Sequence, residues 1–167
     1  MNIPGRRKKD GPNKTVIELY LYLLLERYQS FLCKEITDSF RLSERTLFRY
    51  IKELKAVLQD DEIHCSGREG RKEFTVYGWL EDPELTVFPD DPHLTRLSRL
   101  ICLYQLVCDQ EEEFFYPEEG NDTISASDLT GIIKKAGFPE FSLRTLQRDL
   151  KEICDALDLF DEYNETY

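Results

Sequence analysis

The chain has 167 residues, of which 41% are hydrophobic and 12% aromatic, which supplies a packed core for one domain or two small ones and excludes a disordered chain. Its longest apolar run, LYLYLLL at 19–25, falls short of the ~20 residues of a membrane span, and its polar, basic N-terminus lacks the apolar stretch of a signal peptide, so a cytoplasmic protein with no membrane contact is expected. The net charge of −11 is unevenly divided: residues 1–80 hold 15 Lys and Arg against 12 Asp and Glu, residues 81–167 hold 7 against 21, and the two halves are expected to meet different partners.

In chain order, residues 1–14 (MNIPGRRKKDGPNK) form a Pro- and Gly-punctuated basic arm, expected to be disordered alone. TVIELYLYLLLERYQS (15–30) is apolar on nearly all sides, which predicts a buried central helix. LCKEITDSF (32–40) predicts a short second helix. RLSERTLFRYIKELKAVLQ (41–59) contains a third, with Ser43 as N-cap and Leu47, Ile51, Leu54 and Leu58 at i, i+4, i+7 and i+11 along one face. EIHCSGREGRKEFTVYGWL (62–80) places two β-rich runs around a Gly-bearing basic turn and predicts a hairpin. Three helices followed by a hairpin is the order of a winged helix-turn-helix, assigned to residues 15–81.

DPELTVFPDDP (82–92), with three prolines, is expected to be a linker. Residues 93–167 are expected to form an acidic, three-helix, helix-turn-helix-like domain for assembly or partner binding. Its helices are predicted at LTRLSRLICLYQLVCD (94–109), SASDLTGIIKKAG (125–137) and SLRTLQRDLKEICDAL (142–157), with an acidic loop, QEEEFFYPEEGND, at 110–122. The remaining DLFDEYNETY offers no second strand, so either this half lacks a wing or the chain is a fragment. The expected fold class is mainly α with a small β-hairpin wing, a tandem helix-turn-helix in which the N-terminal unit is winged.

The tandem reading rests on an internal repeat. RLSERTLFRYIKEL (41–54) and EFSLRTLQRDLKEI (140–153) align without gaps: Ser43, Arg45, Thr46, Leu47, Arg49, Lys52 and Glu53 recur as Ser142, Arg144, Thr145, Leu146, Arg148, Lys151 and Glu152. Over 41–58 five basic residues face two acidic ones, whereas over 140–157 three face four.

A helix reads duplex DNA when its N-terminal turns enter the major groove while its back packs on a core. The first copy meets that requirement. Ser43 satisfies backbone N–H groups, Arg45, Thr46 and Arg49 lie on the early outward turns, and Lys52 and Lys55 continue the basic face. Arginine's planar fork pairs with guanine O6 and N7 or with phosphate. Arg68, Arg71 and Lys72, around Gly67 and Gly70, are the wing residues expected to contact phosphates. Arg6, Arg7, Lys8 and Lys9 either trail into a minor groove or form an ordinary tail.

FLCKEITDSFRLSERTLFRYIKEL resembles the N-terminal winged helix of bacterial regulators of the DeoR and WYL-domain types, related to the biotin-repressor DNA-binding domain. The family's Ser-x-Arg-Thr-aliphatic-x-Arg-Asp helix is met at Ser43, Arg45, Thr46, Leu47 and Arg49, with Tyr50 replacing the acidic residue. Thr37 and Arg41 stand where the family has a small Ala and a turn Gly. The resemblance covers about residues 15–80 and implies transcriptional regulation through double-stranded DNA. A different class of function, a winged-helix protein-interaction module or acidic nucleic-acid mimic, stays open.

No Gly-rich phosphate loop, Ser/His/Asp set or paired-acid motif is present in the sequence, so no enzyme is expected. Five widely spread cysteines form no CxxC pair and are expected mostly in the core; with only His64 and His93 beside them, neither a metal site nor a cofactor is expected. Glu111, Glu112 and Glu113 read as a solvated charge run; Phe114, Phe115 and Tyr116 either pin that loop or offer an aromatic patch. Leu97, Leu100, Ile101, Leu103, Tyr104, Leu106 and Val107 give helix 94–108 more apolar surface than a three-helix core needs, which predicts a homodimer or protein partner through the C-terminal half. Asp149, Glu152 and Asp155 are expected to surround Arg144 and Arg148, and Pro139 to lengthen the preceding turn, taking the second copy away from duplex DNA.

Overall fold

The computed structural model describes residues 11–59, 62–78, 80, 84–109, 126–135, 138 and 141–166. Arg6 to Lys9, the loop 110–122 with Glu111, Phe114, Phe115 and Tyr116, and Pro139 lie outside the described residues. The first half runs α1 (Lys14–Tyr28), β1 (Ser30–Leu32), α2 (Cys33–Phe40), α3 (Glu44–Leu58), β2 (Ile63–Ser66) and β3 (Glu73–Val76). The second runs α4 (Pro92–Asp109), α5 (Ala126–Lys135) and α6 (Leu143–Thr166). The fold is mainly α with a small antiparallel sheet, and no described helix is long and apolar enough to cross a membrane.

Side-chain caps set several of these boundaries. Asn13 opens α1 by accepting from the Val16 amide at 3.0 Å. Ser43 opens α3 by accepting from the Thr46 amide at 3.0 Å. Pro92 is the first residue of α4, where its missing N–H costs nothing, and Asp91 accepts from the Leu94 amide at 3.1 Å. The turn between α2 and α3 closes through Arg41, which takes the left-handed conformation (φ 52°), and Leu42 donates to the Thr37 carbonyl at 3.0 Å. An arginine here adopts the backbone that glycine adopts at lower cost.

The hairpin is held to the helices by β1, a strand the sequence reading misses. The sheet order is β1-β3-β2, with Phe31 opposite Phe74 and Cys65 opposite Phe74 on the other side. Three residues with one buried side chain carry no periodicity to detect, so Ser30 is instead expected to end the first helix. At the hairpin tip Gly67 has φ +102°, and a Cβ there would lie 2.5 Å from the Arg71 carbonyl oxygen. That closeness lets Arg71 donate to the Arg68 carbonyl at 2.8 Å and sharpens the turn.

Every residue of α1 from Thr15 to Leu25 is buried, as its all-round apolar character demands. Its neighbours come from both halves of the chain: β1 and α3 from the first, α4 and α6 from the second. One contiguous hydrophobic cluster therefore runs from Val16 to Ala156. The expected linker is also tied down, since the Thr86 amide donates to Ser98 Oγ at 2.9 Å and the Phe88 amide to Thr95 Oγ1 at 2.8 Å.

This arrangement removes the reason for expecting a homodimer through helix 94–108. Leu97, Leu100, Ile101, Leu103 and Val107 are buried within the chain, and Tyr104 and Leu106 are partly so. The apolar surplus of α4 covers α1. The last helix also corrects an expectation, because α6 does not stop at Leu157 but continues to Thr166. Leu157, Phe160 and Tyr163 extend its apolar stripe against α1: Phe160 stacks on Tyr28 with centroids 5.8 Å apart, and Tyr163 meets Tyr20 at 6.5 Å. The segment reads as a polar tail only while α1 is not known to lie beside it.

Candidate nucleic-acid interface

Helix α3 divides its residues by face. Leu47, Tyr50, Ile51, Leu54 and Val57 are buried, Leu58 is half-buried, and Arg45, Arg49 and Lys52 are exposed on the other side. Thr46 is half-buried, and its hydroxyl takes part in the cap by lying 2.9 Å from Ser43 Oγ, which donates to it. Its first role is therefore to fix the start of the helix. Between α3 and the hairpin lies an open groove of about 700 Å³, lined by Arg45, Arg49, Lys52, Lys55, Phe48 and Cys65, among others.

At the hairpin tip Arg68 and Arg71 are exposed, Arg71 bordering a second depression shared with Glu35 and Asp38 of α2. Lys72 is held differently. It forms an ion pair with Glu44 in the first turn of α3, and its ammonium sits 5.7 Å from the centroid of the Phe48 ring. The hydrogen bond to Glu44 is the main cause of its raised pKa. Lys72 thus clamps the wing to the helix, whereas Arg68 and Arg71 keep their cations outward.

One feature of this surface escapes sequence reasoning: Phe48 is 36% exposed in the middle of the basic face, in edge contact with Phe74 at 5.0 Å. Lys55, expected to continue the basic face, joins the groove lining. The position of Phe48 one turn beyond Glu44 or Arg45 carries the helical signal, but only the packed hairpin shows that it borders a groove. Cys65 lies there too, while burial, followed by the neighbouring Cys65 thiol, pushes the Cys33 thiol up to about 12. Of the described cysteines, Cys33 and Cys102 are buried and Cys65 and Cys154 exposed, so the core expectation holds for two of the four.

Beside its exposed basic face, α3 meets a polar cluster at the edge of the core. Glu18 of α1 is fully buried; His93 Nε2 of α4 lies 2.6 Å from Glu18 Oε1 and 3.0 Å from Glu53 Oε2 of α3. Lys14 donates to Glu53 Oε1 at 2.9 Å. Burial, reinforced by Glu53, pushes the Glu18 carboxyl up to about 9, and burial holds His93 below its ordinary value. At neutral pH the physical consequence is a protonated Glu18 beside a neutral imidazole.

The second copy repeats the scaffold closely. Ser142 accepts from the Thr145 amide at 3.2 Å, and Ser142 Oγ lies 3.1 Å from Thr145 Oγ1, matching the first cap. Its acids do not surround the arginines as expected. Asp149 is fully buried and accepts from Arg99 Nε at 2.7 Å and Nη2 at 3.1 Å, while Glu152 pairs with Arg96. The Arg99 guanidinium also packs over Phe138 and Phe141, at 5.7 and 5.3 Å from their centroids. These carboxylates serve α4. Arg144, Arg148 and Lys151 remain exposed, with the exposed Asp155 the one acid of the three on that surface. No family model, curated protein or solved structure matches the chain.

Proposed function

We propose that the chain is a cytoplasmic, sequence-specific DNA-binding regulator of transcription, of the kind that the resemblance to DeoR- and WYL-type winged helices implies, and that it is not an enzyme. Helix α3 enters the major groove with Arg45 and Arg49 toward base edges and Lys52 toward a phosphate. Arg68 and Arg71 lie along the backbone, and Lys72 sets the angle between wing and helix. One observation carries this reading: three cations stand exposed on one face of a capped helix whose opposite face is buried, beside a basic hairpin tip. Such a face offers charge to phosphates and planar forks to guanines without giving up core packing.

The test is selection from random duplexes with the full chain, followed by affinity measurements on the selected site. Arg45→Ala and Arg49→Ala should each weaken binding by roughly 1–3 kcal/mol on that site and less on random duplex. Equal loss on all sequences, with the salt slope reduced by roughly 0.9, would make them phosphate contacts. No loss in either variant refutes the assignment.

For the second copy we infer a protein-contact surface, formed with another copy of this chain or a different protein. Leu143, at the position where the first copy has Glu44, is 51% exposed, and Ile132 of α5 is 42% exposed. An exposed apolar side chain at the place where the first copy carries Glu44, with a second on α5, favours a protein over a phosphate backbone. Leu143→Glu should leave DNA affinity for a single site unchanged and abolish self-association or partner capture; a loss of DNA affinity would make both helices DNA readers.

A further inference from the structure

We propose that Glu18, Glu53 and His93 form a binding site for a divalent transition-metal ion that ties α3 to α1 and α4. The three residues come from three helices and both halves of the sequence, and one ligand atom of each lies within 4.8 Å of the others. Imidazole with two carboxylates is a donor set suited to zinc and its neighbours, three protein ligands leaving a position for water. His93 and Glu53 are partly exposed, so an ion reaches the cluster from its outer side.

A second observation points to a cation independently of the acidic character of the site. Glu18 is fully buried, yet its Oε2 has no hydrogen-bond partner, and Glu53 Oε2 has none either. Buried carboxylate oxygens are ordinarily satisfied, because leaving one bare costs a large part of its hydration. Glu18 Oε1 and Glu53 Oε2 converge on the same ring nitrogen of His93, which carries at most one proton and cannot donate to both, and this accounts for the shortfall at Glu53. An ion bound by His93 Nε2, Glu53 Oε2 and both oxygens of Glu18 gives every one of these atoms a partner.

The distances fit with a small adjustment. Bonds of about 2.0 Å in a tetrahedron separate ligands by roughly 3.3 Å. His93 Nε2 stands 2.6 and 3.0 Å from the two carboxylate oxygens, so each need move by only a few tenths of an ångström. Lys14 keeps Glu53 Oε1 at 2.9 Å while Oε2 turns to the ion. The two positive charges of the ion then face the two carboxylates and the imidazole, with the Lys14 ammonium still paired to Glu53 Oε1.

Glu53 is half-buried one turn beyond Arg49 on α3, so the ion fixes the helix that carries Arg45, Arg49 and Lys52. This coupling to duplex affinity rests on the DNA reading above; the metal site itself does not.

The experiment uses the full chain, stripped with EDTA and desalted, titrated with ZnCl2 by calorimetry and followed by thermal melting, with MgCl2 as control. Expected are one zinc per chain and a Tm rise of about 5–10 °C at a hundredfold excess over Kd. Glu18→Gln keeps the shape of the side chain and its hydrogen-bonding capacity but withdraws the anionic ligand, so it should keep the metal-free Tm while losing the zinc-induced rise. His93→Gln should lose it too. Zinc affinity unchanged in both variants would assign the ion to exposed cysteines and overturn the site, as would the absence of any zinc effect on the parent chain. In the DNA arm, zinc should shift duplex Kd in the parent chain and not in Glu18→Gln. An unchanged Kd with zinc bound overturns the coupling; no DNA binding in any state overturns the DNA reading, while the calorimetry still decides the metal site.

Discussion

Replacing Asp149 with Ala tests whether the second copy's acids are structural. The Asp149 carboxylate is fully buried and receives both hydrogen bonds of the Arg99 fork, and the Arg99 side chain is 12% exposed. Removing the carboxylate strands a guanidinium between Phe138 and Phe141 with little access to water. Breaking a buried pair by deleting one partner typically costs about 3–5 kcal/mol. Because Arg99 keeps some exposure, the lower end applies, about 3 kcal/mol. For a chain of this size that corresponds to a Tm drop of about 6–12 °C. Urea unfolding followed by far-UV circular dichroism should report the loss as a lower midpoint at unchanged slope. Asp149→Leu combined with Arg99→Met should recover most of it, since a well-packed apolar pair removes the stranded charge. A single-variant loss below about 1 kcal/mol, or a double variant no better than the single, would refute the reasoning and mean that Arg99 reaches solvent freely.

Four further substitutions probe the local chemistry. Arg41→Gly should stabilise the chain by about 1 kcal/mol, because glycine meets the left-handed backbone at φ 52° without the Cβ cost; a destabilised variant in urea melts would show that the Arg41 side chain contributes more than the strain. Ser43→Ala and Ser142→Ala should each cost about 1 kcal/mol by removing the cap acceptor, and DNA affinity should fall further in the first than in the second. Gly67→Ala places a methyl group 2.5 Å from the Arg71 carbonyl, so hydrogen exchange in β2 and β3 should accelerate while α1 stays protected; equal protection in both would contradict the tight tip.

Local chemistry, readable along the chain, determined the helices and their starts. Ser43 and Ser142 cap where a hydroxyl precedes an apolar stripe, and Leu47, Ile51 and Leu54 bury because their spacing puts them on one side. The exposed face of Arg45, Arg49 and Lys52 follows from the same period, since what lies opposite a buried stripe must meet water. These are interactions within one or two turns, and a sequence states them directly. Only the tertiary structure decided what each face meets. β1 is too short to carry a pattern and exists because β3 offers it a partner. Helix α6 runs on to Thr166 because α1 lies beside Phe160 and Tyr163. Lys72 belongs to Glu44, Asp149 to Arg99, and His93 to Glu18 and Glu53, pairings that join residues 28 to 75 positions apart. Charge in a sequence has sign but no direction, and it is folding that chooses whether a carboxylate repels a phosphate at the surface or neutralises an arginine in the core.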